Sequence, residues 1–331
     1  MRDLGDRQSG QVEIVTVLRG LAATSVFLFH LVCVSNGYIS DNYLRTFFGY
    51  GKFGVQFFFV ISGFVIPYSM LRAGYELKDF FRFLLKRVVR IEPPYLLIVV
   101  LTVLFLLVRS RAEHHSGMPV TWQQVALHVG YLIPFSGYSW LSIVFWTLAI
   151  EFQFYLLFSL AFKLFTTGKA GRWLSSLLLL FLSWFIQWDN NFLYWSPIFL
   201  MGIYVALAKQ KRIGHAELYT ALGLLAVFAL LKFGLVIDLF ALTAVAAIWF
   251  EPVIRSAVLD FLGNISYSLY LSHTLIAFAV INLGIRYTRH PWQKPVFIAA
   301  AIAATMLFSY LLYYFVERPA KKWASSIKYI S

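Results

Sequence analysis

The first apolar stretch, IVTVLRGLAATSVFLFHLV from Ile14 to Val32, holds an arginine and a histidine inside a run long enough to cross a bilayer. A cation at the centre of a spanning helix costs about 2.5–3.5 kcal/mol on insertion scales, so such residues face protein or water and mark a pathway or a site. Arg19 and His30 are eleven residues apart. At about 100° per residue the two side chains leave the helix within ~20° of each other, roughly 16 Å apart along the axis. One helix face therefore presents a fixed cation at one depth and an imidazole at another. The blander reading is that Arg19 snorkels to the headgroups and His30 is a hydrogen-bonded packing residue.

Glu151, in FWTLAIEFQFYLLF, is the next intramembrane ionisable group. The spacing of the spans puts it at an outer-leaflet depth similar to that of His30. A carboxylate beside an imidazole raises its basicity and fixes its tautomer, which suits a general base, although the same pair also serves to hold helices together. In FFFVISGFVI, Ser62 and Gly63 are small residues that allow close helix approach, with Ser62 a secondary candidate for the site. GNISYSLYLSH places Ser266, Tyr270 and His273 at i, i+4 and i+7, with Asn264, Tyr267 and Ser268 nearby, a polar stripe that either lines a cavity or glues helices. Arg87 and Arg90, at i and i+3, put two guanidiniums on one helical side, able to grip a phosphate with forked donors. Positive-inside topology would place arginines there equally well.

These residues must be held by membrane helices. The chain of 331 residues is 60% hydrophobic and only 13% charged, which excludes a soluble domain and predicts an all-α polytopic membrane protein. The apolar runs are too long for barrel strands. Ten spans are expected, at roughly 12–36, 50–71, 93–109, 143–165, 172–189, 191–209, 216–232, 234–250, 258–285 and 294–316, in a single membrane domain over 1–331 with no soluble domain. Most of the 28 Lys and Arg residues fall in the two terminal segments and alternate loops, which predicts both termini inside, N-in and C-in. The net charge of +13 follows from that asymmetry, and no basic run interleaves with aromatics as nucleic-acid binding would require. The single cysteine, Cys33, leaves no internal disulfide and no thiolate metal cluster. The N-terminus lacks a cleavable-signal pattern, so the first segment stays as a span.

YELKDFFRFLLKRVVRIEPPY reads as an amphipathic helix on the inner face, with Phe80, Phe81, Leu84, Leu85 and Val88 at helical spacing. Pro93 and Pro94 are expected to end it and begin the third span. The loop from Arg111 to Ser142 contains TWQQVALHVGYLIPF, an interfacial or re-entrant piece. Its His114, His115 and His128 show no metal spacing and are expected as exposed loop residues. Lys232, Phe233 and Gly234 alone separate two spans, which predicts a tight hairpin.

LRGLAATSVFLFH resembles the Arg–ten residues–His motif of membrane acyltransferase family 3, integral-membrane O-acyltransferases acting on sugars and related acceptors. FFFVISGF, RVVRIEPPY, FWTLAIEFQFY, GNISYSLYLSH and the terminal FVERP resemble further family blocks in the expected order, from about Val12 to Pro319. Where many members read Trp-Ser-Leu before the glutamate, this chain has Trp146, Thr147 and Leu148, which keeps the hydroxyl. Many members also carry an extracytoplasmic hydrolase-like domain after the last span. Here the sequence runs to Ser331, so the chemistry is expected of the membrane domain alone.

The resemblance implies an acyl-CoA donor, acetyl-CoA by family habit, entering from the cytosol, and a hydroxyl acceptor on a carbohydrate. No metal is implied. Carried onto this chain, His30 would be the general base or a transient acyl carrier. Arg19 would orient or neutralise the donor, Arg87 and Arg90 would hold its phosphates, and Glu151 would support His30 or bind acceptor. The implied partners are membrane lipid, acyl-CoA and a sugar-containing acceptor, and the implied location is the bacterial cytoplasmic (inner) membrane. A donor gripped at the inner face could thread its long arm along the Arg19–His30 face, with span-nine hydroxyls facing the oxyanion. The rival class is a transporter or flippase of a surface-glycan precursor, which also uses intramembrane Arg, His and Glu. Transporters often show repeated halves, and no repeat is visible.

Overall fold

The computed structural model describes residues 13–35, 37–112 and 120–329, and every regular element among them is helical. In chain order the α-helices are α1 (Glu13–Phe29), α2 (Asn42–Gly49), α3 (Gly54–Arg72), α4 (Phe80–Ala112), α5 (Trp122–Val129), α6 (Phe145–Thr166) and α7 (Lys169–Phe185). They continue with α8 (Phe192–Lys209), α9 (His215–Phe233), α10 (Leu235–Phe250), α11 (Ala257–Tyr287), α12 (Gln293–Leu312) and α13 (Arg318–Ser326). Among the described residues, eight helical stretches are long and apolar enough to cross a membrane. They coincide with eight of the ten expected spans. The other two expected spans fall on α7 and α10, which at 17 and 16 residues are shorter than the ~20 that cross a hydrocarbon core upright. The chain is an all-α integral membrane protein.

Two glycine-mediated crossings fix the frame. Where α1 meets α11, a Cβ on Gly20 would strike the Gly263 backbone, and one on Gly263 would strike the Thr16 carbonyl. Where α3 meets α8, a Cβ on Gly63 would run into the Phe199 carbonyl and one on Gly202 into the Val60 carbonyl. Without side chains at these points the backbones pack directly, which is how membrane helices associate when water supplies no driving force. The small-residue reading of Ser62–Gly63 is thus accounted for at Gly63.

The helix containing Arg87 departs from expectation. Pro93 and Pro94 do not separate two helices; both lie inside the single α4. A proline removes one helical N–H and pushes on the carbonyl four residues back, and buried neighbours can re-satisfy the freed carbonyls. The carbonyls freed here are those of Val89 and Arg90, and beside them the Ile91 carbonyl takes an additional hydrogen bond from the Tyr267 hydroxyl at 2.9 Å. The amphipathic face is also turned around. Phe81 and Leu85 point outward at 80% and 52% exposure, while Phe83 and Arg87 point into the protein. Phe80, Leu84 and Val88 are half-buried between these two sides, and the protein interior receives the arginine.

The segment 120–142 folds back against α4. The Tyr95 hydroxyl donates to the His128 carbonyl at 3.1 Å, and Tyr131 stacks on Tyr95 and Phe152 at 5.0 and 4.9 Å between ring centres. Tyr95 is fifteen residues into α4, roughly 22 Å along its axis. This piece is therefore re-entrant rather than spread on the surface. His128, expected in an exposed loop, is fully buried. Its Nδ1 meets the Gln124 carbonyl at 2.8 Å, and its Nε2 accepts from the Leu141 amide at 3.0 Å, pinning the two ends of the segment. His114 and His115 lie outside the described residues. The predicted hairpin forms between α9 and α10.

Candidate active site

Five helices and the start of α13 line one open cavity. Arg19 comes from α1, Ser62 from α3, Arg87 and Arg90 from α4, and Thr147, Glu151 and Tyr155 from α6. Tyr267 and Tyr270 come from α11, and Glu317 and Lys321 close the side next to α13. Thr147, Glu151 and Tyr155 repeat every four residues, so a single stripe of α6 supplies three polar groups.

Both carboxylates are already engaged. Glu151 Oε1 accepts from the Ser62 and Tyr155 hydroxyls, each at 2.5 Å, leaving Oε2 without a hydrogen bond. Glu317 Oε2 accepts from the Ser268 amide and hydroxyl at 3.1 and 2.6 Å, while its Oε1 pairs with Lys321 at 2.6 Å. The three arginines, in contrast, have no ion-pair partner among the described residues. Arg87 is only 6% exposed; it donates to Ser69 Oγ at 3.2 Å, lies over the rings of Phe83 and Tyr155, and buries its Nε with no acceptor. A buried N–H without an acceptor is costly, and a guanidinium held by one neutral hydroxyl keeps most of its donors for an anion.

The structure gathers Arg19, Arg87, Arg90, Ser62, Glu151, Tyr267 and Tyr270 around this one space. Ser266 and His273, considered as lining, are elsewhere. The Ser266 hydroxyl donates to the Gly263 carbonyl at 2.8 Å, at the α1–α11 crossing, and His273 is fully buried. The α11 stripe therefore splits: Tyr267 and Tyr270 face the cavity, Ser268 and Ser272 turn to Glu317 and Ser309, and Asn264 is exposed. Both earlier readings of it hold, on different sides of the same helix.

His30 is not on the cavity wall either. It opens a π-helical turn, His30–Val34, a local widening often found where a helix carries function. Its Nδ1 lies 2.9 Å from Nε2 of His273, and the two rings are 5.0 Å apart between centres. Glu151, expected beside His30, is held by Ser62 and Tyr155 instead, and the partner of His30 is a second imidazole. Tyr270 belongs to both regions. It lines the cavity, donates to Thr147 Oγ1 at 2.8 Å, and sets its ring 5.9 Å from that of His273. The continuous Arg19–His30 tunnel of the sequence reading is therefore interrupted, and Tyr270 stands between its two ends.

Residues missed from sequence are Tyr155, Glu317 and Lys321. Glu317 belongs to a second π-helical turn, Tyr313–Glu317, which carries the FVERP stretch. That motif signalled the place, but nothing in an apolar helix end foretold that its glutamate turns fully inward.

A family model described as "Acyltransferase domain" matches residues 12–314. A Staphylococcus aureus (strain COL) protein named "Putative O-acetyltransferase" is 27% identical over 363 aligned positions, covering 92% of this chain and 56% of the relative. The O-acetyltransferase OatA of Staphylococcus aureus (strain NCTC 8325 / PS 47) is 25% identical over 359 positions, with the same coverage. The chain spans about half the length of the curated relatives it matches. No solved structure matches.

Proposed function

The chain belongs to the acyltransferase-domain family whose model covers residues 12–314, and from that premise we propose that it moves a short acyl group, acetyl, from acyl-CoA to a hydroxyl of a carbohydrate or glycosylated acceptor. The observation that carries this reading is a cavity whose three arginines form no ion pair among the described residues, next to a buried imidazole. Coenzyme A is a phosphorylated head on a long thin arm that ends in the thioester. Arg87, Arg90 and Lys321 grip the head from the face that begins α4, taken as cytosolic in the inner membrane of a bacterium. The arm runs past Arg19, and Tyr270 swings from Thr147 to admit the thioester to His30.

There the acceptor O–H gives its proton to His30 as the oxygen adds to the thioester carbonyl. The C–S bond breaks, and coenzyme A departs as a thiol with the proton that His30 held. In the two-step variant His30 itself takes the acyl group before passing it on. Glu151, with its free Oε2 on the cavity, orients the acceptor hydroxyl or the donor amides.

The test is thioester consumption by purified protein in lipid nanodiscs. Release of free thiol from acetyl-CoA, abolished by His30→Ala, is expected. Transport of a glycan precursor with no thioester loss in any condition would overturn the reading.

A further inference from the structure

We propose that His273 is a positioning residue that fixes the tautomer of His30 and leaves its Nε2 as the proton-accepting atom. His273 Nδ1 lies 3.0 Å from the carbonyl of Leu269, four residues earlier on α11. A carbonyl only accepts, so that nitrogen carries the hydrogen. In a neutral imidazole the other nitrogen is then bare, and His273 Nε2 is an acceptor. It faces His30 Nδ1 at 2.9 Å, so His30 Nδ1 must be the donor. The opposite assignment would set a lone pair of His273 against the Leu269 carbonyl. The Val26 carbonyl, four residues earlier on α1, also lies against the His30 ring and favours a hydrogen on the nitrogen it meets; with Nδ1 of His30 protonated, its Nε2 is left with the lone pair.

The chain from Leu269 carbonyl to His273 to His30 therefore performs the task a carboxylate performs in a Ser–His–Asp triad, holding one tautomer and one ring orientation. It does so without a buried negative charge, which suits a site with no counter-cation against either ring. When Nε2 takes a proton, the resulting imidazolium still donates through Nδ1 to the same acceptor, and that bond becomes charge-assisted. The geometry holds both rings in place. His273 sits edge-on to Phe27 at 5.9 Å, His30 lies against Phe29 at 4.9 Å, and the glycine crossing of α1 and α11 sets their separation. The inference rests on the acyl-transfer reading for its purpose but not for its geometry.

The experiment is an imidazole 1H–15N spectrum of protein labelled with 15N-histidine, with the His30 signal assigned by its loss in His30→Gln, alongside single-turnover thiol release. Wild-type His30 should show a protonated Nδ1 and a bare Nε2. His273→Phe, which keeps the ring volume but accepts nothing, should shift that signal toward the Nε2–H form and slow turnover by about 10²–10⁴-fold, the range of one general base. His273→Gln, whose Oε1 can stand where Nε2 stood, should keep the tautomer and most of the rate. An Nε2–H signal in the wild type overturns the proposal outright. So does wild-type turnover by His273→Phe while His30→Ala is dead. If His30→Ala is fully active, the acyl-transfer reading fails instead, and the spectrum still decides the tautomer.

Discussion

The arginine wall and the histidine pair are solved in opposite ways by the same bundle. The wall collects Arg19, Arg87, Arg90 and Lys321 around open space, and its three guanidiniums form no ion pair among the described residues. The pair has no ion-pair partner, leaves little open space, and joins its two facing ring nitrogens in one hydrogen bond, with His30 only 9% exposed. Unsatisfied cations want a polyanion to complete them, whereas a bonded, uncharged pair is ready to take and return one proton. Under the proposed function, binding belongs to the first end and proton transfer to the second, with Tyr270 between.

The largest effect should come from the uncharged end. His30→Ala should lower thiol release from acetyl-CoA by about 10²–10⁴-fold, the range of one general base, because His273 stays tied to the Leu269 carbonyl behind the vacated position. Arg87→Ala attacks the other end and should act mainly on donor affinity. Losing one charge-assisted contact is worth about 1.5–3 kcal/mol, so the KM for acetyl-CoA should rise roughly 10- to 150-fold with a smaller change in kcat. A kcat collapse at constant KM would break the comparison. Ser62→Ala removes one of two donors to Glu151 and should cost about 0.5–1.5 kcal/mol in folding stability, read as a lower melting midpoint in detergent, with turnover reduced several-fold.

The smallest effect concerns a third histidine that belongs to neither end. Burial holds the pKa of His128 below its ordinary 6.5, and its bare Nε2 accepts the Leu141 amide. The unfolded chain therefore takes a proton first as pH falls. The stability this residue contributes is complete above about pH 6.5 and fades below it. The protection factor of the Leu141 amide, its exchange rate corrected for the intrinsic pH dependence of amide exchange, should fall between pH 7.5 and 5.5 in the wild type. His128→Gln should flatten that dependence.

Much of this was legible in the chain. Apolar length marked the spans, and the spacing of Arg19 and His30 or of Arg87 and Arg90 placed each pair on one helix face. What could not be read was which face of one helix meets which face of another. Glu151 and His30 were assigned to each other by depth, yet Ser62 and Tyr155 took the carboxylate because α3 lies against α6 on that side. Pro93 and Pro94 signalled a break, but α4 runs on through both, packed there against α11 by the Tyr267–Ile91 hydrogen bond. His128 had the composition of a loop and the environment of a core because its segment re-enters. Each case turns on tertiary packing, to which local pattern is blind.

The central claim is that the donor is held at the arginine wall and consumed at the histidine pair. Calorimetric titration of acetyl-CoA into the His30→Ala variant tests it most directly. The account predicts a dissociation constant matching wild type, with the thioester intact after the titration. Loss of binding in that variant, or full release of free thiol, would contradict it.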